Sequence, residues 1–318
     1  MRLLRGELRK LRRPLVYWLG LAVVVLSCLL LRQVQATYEL NNPKSSSLPG
    51  PAPTPTCAQL GLPVGSRCAA VQQGARQADE RFRGDARAAA RLAKAGQQPL
   101  GVGRFAAGLF ASLLGAGAVL LLAGAHVGGE WGGRTIKSIL VQDGRRGRLL
   151  AAKWASLWLT GAALLAVTWA TLALISPYLA HAYGNPSVHL PAGQAAGAAL
   201  SQSARTLLVL GVFSALGVAA AVLTRSLLGT FFLGAGVVVV SLLLGQFGTT
   251  ARWTLAYWVT GWMGFGRDEA VPDYLWSTRL PAGVPAPTAG FGFAALICSL
   301  LVMGALAWST LRRSDVTI

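Results

Sequence analysis

The stretch Glu130–Trp154 reads EWGGRTIKSILVQDGRRGRLLAAKW and lies between two long apolar runs. It opens on a glutamate, carries basic residues throughout and repeats Leu and Ile in a regular pattern. On either side the chain returns to apolar runs near 20 residues, long enough to cross a bilayer. The whole sequence is 53% hydrophobic and 13% charged, with a mean hydropathy of +0.51. Soluble domains carry about 25% charged residues, so composition alone places this chain in a membrane. The expected fold class is an all-α polytopic membrane protein with six transmembrane helices.

The expected spans are residues 15–31, 105–127, 154–175, 205–223, 227–245 and 290–311. Between them lie segments 32–104, 128–153, 176–204, 224–226 and 246–289, with a tail at 312–318. Orientation follows from the Lys/Arg distribution. With the N-terminus inside, residues 1–14, 128–153, 224–226 and 312–318 hold 15 Lys/Arg, while the two shorter external loops hold 3. Both termini are therefore expected in the cytoplasm. The first external segment is too long to count for much in this rule. The net charge of +18 is explained better by this topology than by nucleic-acid binding.

The N-terminal MRLLRGELRKLRRP sets Leu4, Leu8, Leu11 and Leu15 on one helical stripe and Arg2, Arg5, Arg9 and Arg12 on another. Residues 1–14 thus read as an amphipathic interfacial helix, its arginines toward anionic membrane lipid; the plainer reading is a basic flank to the first span. Val34-Gln35-Ala36 resembles a cleavage site, but the long basic start and 17-residue apolar core fit an uncleaved anchor better.

In segment 32–104, residues 41–63 are rich in Pro and Ser and expected to be loosely ordered, and residues 67–95 are expected to be helical. Cys57 and Cys68 lie here, on the side where disulfides are allowed, so a bridge competes with two free thiols. Cys28 and Cys298 sit inside apolar runs, as packing residues. Small-residue faces occur at Gly108, Ser112 and Ala116 and at Gly211, Ala215 and Ala219, suited to close helix approach in lipid. Segment 246–289 is rich in Trp and Tyr and is expected to form one or two short helices at the external surface.

No nucleotide-binding G-x-x-x-x-G-K-[ST], no H-E-x-x-H and no G-x-S-x-G is present. Asp and Glu are absent from all six apolar runs, whereas ion-coupled transporters usually need an ionisable group there. His126 is expected to be interfacial, and Arg205 is either a snorkelling or structural residue or a substrate contact. His181 and His189, with no thiol or carboxylate beside them, are expected to be solvated, and no metal site is expected.

The stretch Glu130–Lys153 resembles the region between the second and third spans of ABC type-2 permeases, the membrane subunits of ABC exporters. Glu130, Gly133, Thr135-Ile136-Lys137, Ile139-Leu140, Arg146, Leu149-Leu150 and Lys153 match that pattern. Arg134 is inserted between the Gly and the Thr, and Asp143 stands where the family usually has Pro. The layout of six spans, a large first external loop and a tight fourth-to-fifth turn is similar too. The resemblance implies that Glu130, Arg134, Lys137, Arg145 and Arg146 contact a separate ABC ATPase subunit, which uses ATP and Mg. It also implies a second permease copy, in a homodimer or heterodimer, and location in the cell membrane. The apolar spans point to a hydrophobic drug, peptide or lipid as cargo. A membrane scaffold or sensor using segment 32–104, or an ion-coupled transporter, are the competing classes.

Overall fold

The structure is a computed structural model that describes residues 6–8, 14–41, 54–59, 61, 63, 65, 67–80, 99–132, 146–183, 192–245, 247–264, 284–285 and 287–313. Among them all regular structure is helical. Six helical segments are long and apolar enough to cross a membrane, which marks the chain as a multi-pass membrane protein. The principal helices are α1 (Pro14–Asn41), α2 (Val102–Phe110), α3 (Leu113–Ala123), α4 (Arg146–Ala182), α5 (Ala192–Thr224), α6 (Leu227–Leu244), α7 (Leu255–Met263) and α8 (Ala289–Arg313).

Four of the expected spans are shorter than the helices that contain them. Helix α1 runs to Asn41, because nothing in Arg32–Asn41 breaks it. Leu31, Val34 and Gln35 are buried, and Arg32 Nε donates to the Tyr183 hydroxyl at 3.0 Å. Helices α4 and α5 have 37 and 33 residues, about 55 and 50 Å at 1.5 Å per residue. Hydropathy marks only the roughly 30 Å that would lie in hydrocarbon, and Ala-rich sequence carries α5 back to Ala192. Residues 176–182 and 192–204, expected as loop, are therefore helix. Helix α6 and the expected span 227–245 nearly coincide, because Ser226 caps its start by accepting from Gly229 N–H.

The second span departs most from expectation. Residues 105–127 do not form one helix: α2 ends at Ala111, and Ser112 caps α3 by accepting from Leu114 N–H while donating to the Leu109 carbonyl. A Cβ on Gly115 would lie 1.9 Å from the Phe110 carbonyl oxygen, so only glycine allows this crossing. Gly108, Ser112 and Ala116 consequently do not form one continuous helix face. A π-helix at Gly124–Gly128 follows, then a short α-turn, Gly129–Gly132.

Helix α5 is the centre of the bundle, packed by α2, α3, α4, α6 and α8. Its apolar window is 83% buried, against 11% for α8, so α5 is surrounded by the other helices and α8 lies at the outside of the bundle. Segment 248–263 forms a 3-10 turn (Gly248–Trp253) and then α7. Residues 67–80 are helical, and residues 81–95 lie outside the described residues.

The π-helix rests on the turn between α5 and α6. A Cβ on Gly128 would lie 2.6 Å from both the Ser226 carbonyl oxygen and Thr230 Oγ1. Gly128→Ala must therefore lower thermal stability, by about 1–3 kcal/mol of overpacking. Gly117→Ala, whose Cβ meets nothing within 4 Å, should leave the melting temperature in detergent unchanged or raised.

Candidate functional site

Helical spacing explains how four ionisable side chains come to be buried together. Glu7 falls on the apolar stripe of its own segment, three residues after Leu4 and four before Leu11. Lys153 falls midway between Leu149 and Leu157, both buried, on the inward face of α4. An acid and a base on apolar faces must find each other or remain unpaired in a medium without water. Here they meet: Lys153 Nζ lies 3.2 Å from Glu7 Oε2 and 2.5 Å from Glu130 Oε2.

His126 completes the group, its Nε2 lying 3.0 Å from Glu7 Oε2. A carboxylate oxygen only accepts, so Nε2 carries the proton. Ser156 Oγ lies 3.4 Å from the same nitrogen and donates to the Lys153 carbonyl at 2.9 Å. Glu7, His126, Glu130 and Lys153 are 2–5% exposed. The π-helix is what turns His126 inward, and such π-bulges recur at functional positions. His126, expected at the interface, is instead a core residue.

Chemically, Glu7, His126 and Glu130 form a donor set whose oxygen and nitrogen atoms all lie within 4.8 Å of one another. The Lys153 ammonium occupies the gap between the two carboxylates. A metal ion would have to expel that ammonium into an apolar surrounding, so the set reads as an ion cluster with an internal cation. Ser156 is not set as a nucleophile with His126 as its base, since its hydroxyl donates to the Lys153 carbonyl and the same His126 Nε2 faces Glu7.

Two further ties reach this end of the bundle. Arg146 Nη1 donates to the carbonyls of Leu311 and Arg312, at 2.9 and 3.1 Å, satisfying the C-terminal turn of α8. The Arg225 guanidinium stacks over the Trp131 ring at 5.2 Å. Trp154 and Trp158 lie parallel and donate to the Gly211 and Leu207 carbonyls, fixing α4 on α5. Parts of 1–14, 128–153, 224–226 and 312–318 thus meet at one end of the molecule.

Of the residues expected to contact an ATPase, Glu130 faces Lys153 inside the chain and Arg146 is engaged with α8. Glu130 is buried, whereas Arg146 is half-buried and bonds carbonyls through Nη1. Arg134, Lys137 and Arg145 lie outside the described residues, as do Arg2, Arg5, Arg9 and Arg12. Arg205 packs over the Trp262 ring at 5.8 Å, and its carbonyl accepts from the Trp262 indole, which gives it a structural place. Cys57 and Cys68 are joined in a disulfide with Cα atoms 5.7 Å apart. The sequence does not single out Glu7, and it marks His126 only as an interfacial residue. Glu7's position on the leucine stripe was the available signal; for His126 only the flanking glycines hint at an irregular helix.

Lys153→Met leaves two buried carboxylates without their cation. Breaking such a cluster costs about 3–5 kcal/mol, so folded yield and melting temperature in detergent should fall sharply. Adding Glu130→Gln to Lys153→Met should recover part of the loss. In comparison with known proteins, no family model, no curated protein and no solved structure matches the chain.

Proposed function

We propose that the chain is the transmembrane permease subunit of an ATP-driven exporter of the ABC type-2 kind, working with a separate ATPase subunit. One observation carries this reading. Both ends of the segment between Gly132 and Arg146 are tied to a single buried ion cluster that also holds the N-terminal helical turn. A load applied to that segment is passed to four places at once: to Glu7, to the π-helix, to α4 through Lys153, and to α8 through Arg146.

The topology proposed with it has both termini, the 130–153 segment and the α5–α6 turn on the cytoplasmic side. The disulfide-bearing segment and α7 lie outside. The meeting of Glu7, Trp131, Arg225 and Leu311 at one end supports that arrangement, as does the concentration of Lys and Arg there. The N-terminal segment lies along the membrane surface, and the location is the cell membrane.

ATP and Mg are used by the partner, in keeping with the lack of a phosphate-binding loop in this chain. A second permease copy completes the assembly, and a hydrophobic drug, peptide or lipid is the cargo. ATP drives the cycle only by binding the inward and outward states with different affinity. The buried cluster supplies the stiff element through which that difference reaches the spans.

The full-length chain isolated from its own membranes should bring down an ATPase subunit. Lys137→Glu and Arg134→Glu should each lower permease-stimulated ATP hydrolysis severalfold, since a reversed interfacial charge costs on the order of 1–3 kcal/mol, while membrane insertion stays normal. An ATPase rate unchanged by both reversals would overturn the reading.

A further inference from the structure

Helices α6 and α8 both pack on α5, and a cleft of about 500 Å³ remains between them, open sideways. One wall is a stripe of α6 at four-residue spacing, Phe232, Gly236, Val240 and Leu244; Ser299 and Met303 of α8 form the other. Trp253 closes the end near Leu244. The hydroxyl of Ser299 is already spent on the Ala295 carbonyl, and that of Ser241, also in the wall, accepts from Ala256 N–H. Thr254 Oγ1 and the Trp258 indole are likewise bonded within the chain, so the lining is mainly apolar surface, with the indole of Trp253 at its rim.

From Phe232 to Leu244 the cleft follows about 18 Å of helix at 1.5 Å per residue. One leaflet of hydrocarbon is roughly 15 Å deep. The match selects a single extended chain lying along α6. At the Leu244 end, Trp253 is 79% exposed and Phe247 is 64% exposed, and Arg252 between them is exposed as well. Arg252 and Trp253 adjoin in the chain, and an exposed tryptophan next to an exposed arginine is the composition found at headgroup level, where the ring sits among ester groups and the cation meets phosphate.

We propose that this cleft is a phospholipid site, one acyl chain held between α6 and α8 and the lipid phosphate bound by Arg252. A dry cleft would forfeit the contacts that a chain supplies, and water has no partners in it. The occupant is thus a membrane phospholipid held longer than the lipids around it. The proposal is independent of the permease reading, since it uses no residue of the ion cluster and no partner subunit.

The test places the full chain in phosphatidylethanolamine–phosphatidylglycerol vesicles with a trace of phosphatidylglycerol carrying a diazirine on one acyl chain. After illumination, labelling is mapped by mass spectrometry. Label on residues 232–244 and 299–303 should exceed that on the exposed Leu21, Val25, Leu26 and Leu29 of α1 about tenfold, as one site of about 1.4 kcal/mol preference would give. Gly236→Phe fills the cleft, its Cβ entering space with nothing within 4 Å; the melting temperature in detergent should match wild type while the excess label vanishes.

Arg252→Ala should lower phospholipid labelling about tenfold, the usual worth of a charge-assisted hydrogen bond, and leave labelling by a diacylglycerol probe unchanged. Equal labelling of the two sets of residues, or excess label that survives Gly236→Phe, would overturn the site. Oxidative cross-linking of Val240→Cys into covalent dimers would overturn it in favour of a second copy in the cleft.

Discussion

A lysine ammonium two per cent exposed, in a protein whose surroundings are hydrocarbon, is the constraint on which this fold turns. An unpaired charge there would cost several kilocalories per mole. Lys153 is kept by two carboxylates that come from far apart in the chain, 146 and 23 residues away. Closing those two loops sets where the N-terminal segment lies, how the second span ends and how deep α4 begins. The π-helix then has a reason: its wider turn brings His126 onto Glu7.

The rest of the bundle contrasts with this end. Around the cluster, Leu122, Val127, Leu149, Leu157, Val222 and Leu311 form a separate buried core. In the bundle proper, α5 allows close approach by small residues: a Cβ on Gly217 would come within 2.5 Å of Ala123 Cβ. Helices α6 and α8 pack on α5 and α7 and leave the cleft between them.

This arrangement bears on how the basic stretch that separates the second and third spans is understood. Glu130 and Arg146 look, by their charge, like outward contacts. Glu130 is buried against Lys153, while Arg146 is half-buried and gives one guanidinium nitrogen to the last carbonyls of α8. The ion cluster joins the residues on either side of this stretch, Glu130 before it and Lys153 after it, to Glu7.

The apolar runs, and with them the six helices, were legible in the sequence, because crossing hydrocarbon requires long stretches without charge and every backbone group paired within its own helix. The tight turn at Thr224–Ser226 was legible for the same reason. The helix ends were less so: hydropathy reports where lipid would be, and α1, α4 and α5 continue past it. The break at Ser112 and the π-helix were not legible, since both depend on which backbone passes beside Gly115 and Gly128. Glu7, His126, Glu130 and Lys153 could each be seen singly, and Glu7 and Lys153 could be seen on apolar faces. Which acid would meet which base was left to the tertiary structure, because helical periodicity orients a side chain about its own axis and says nothing of the helix it will face.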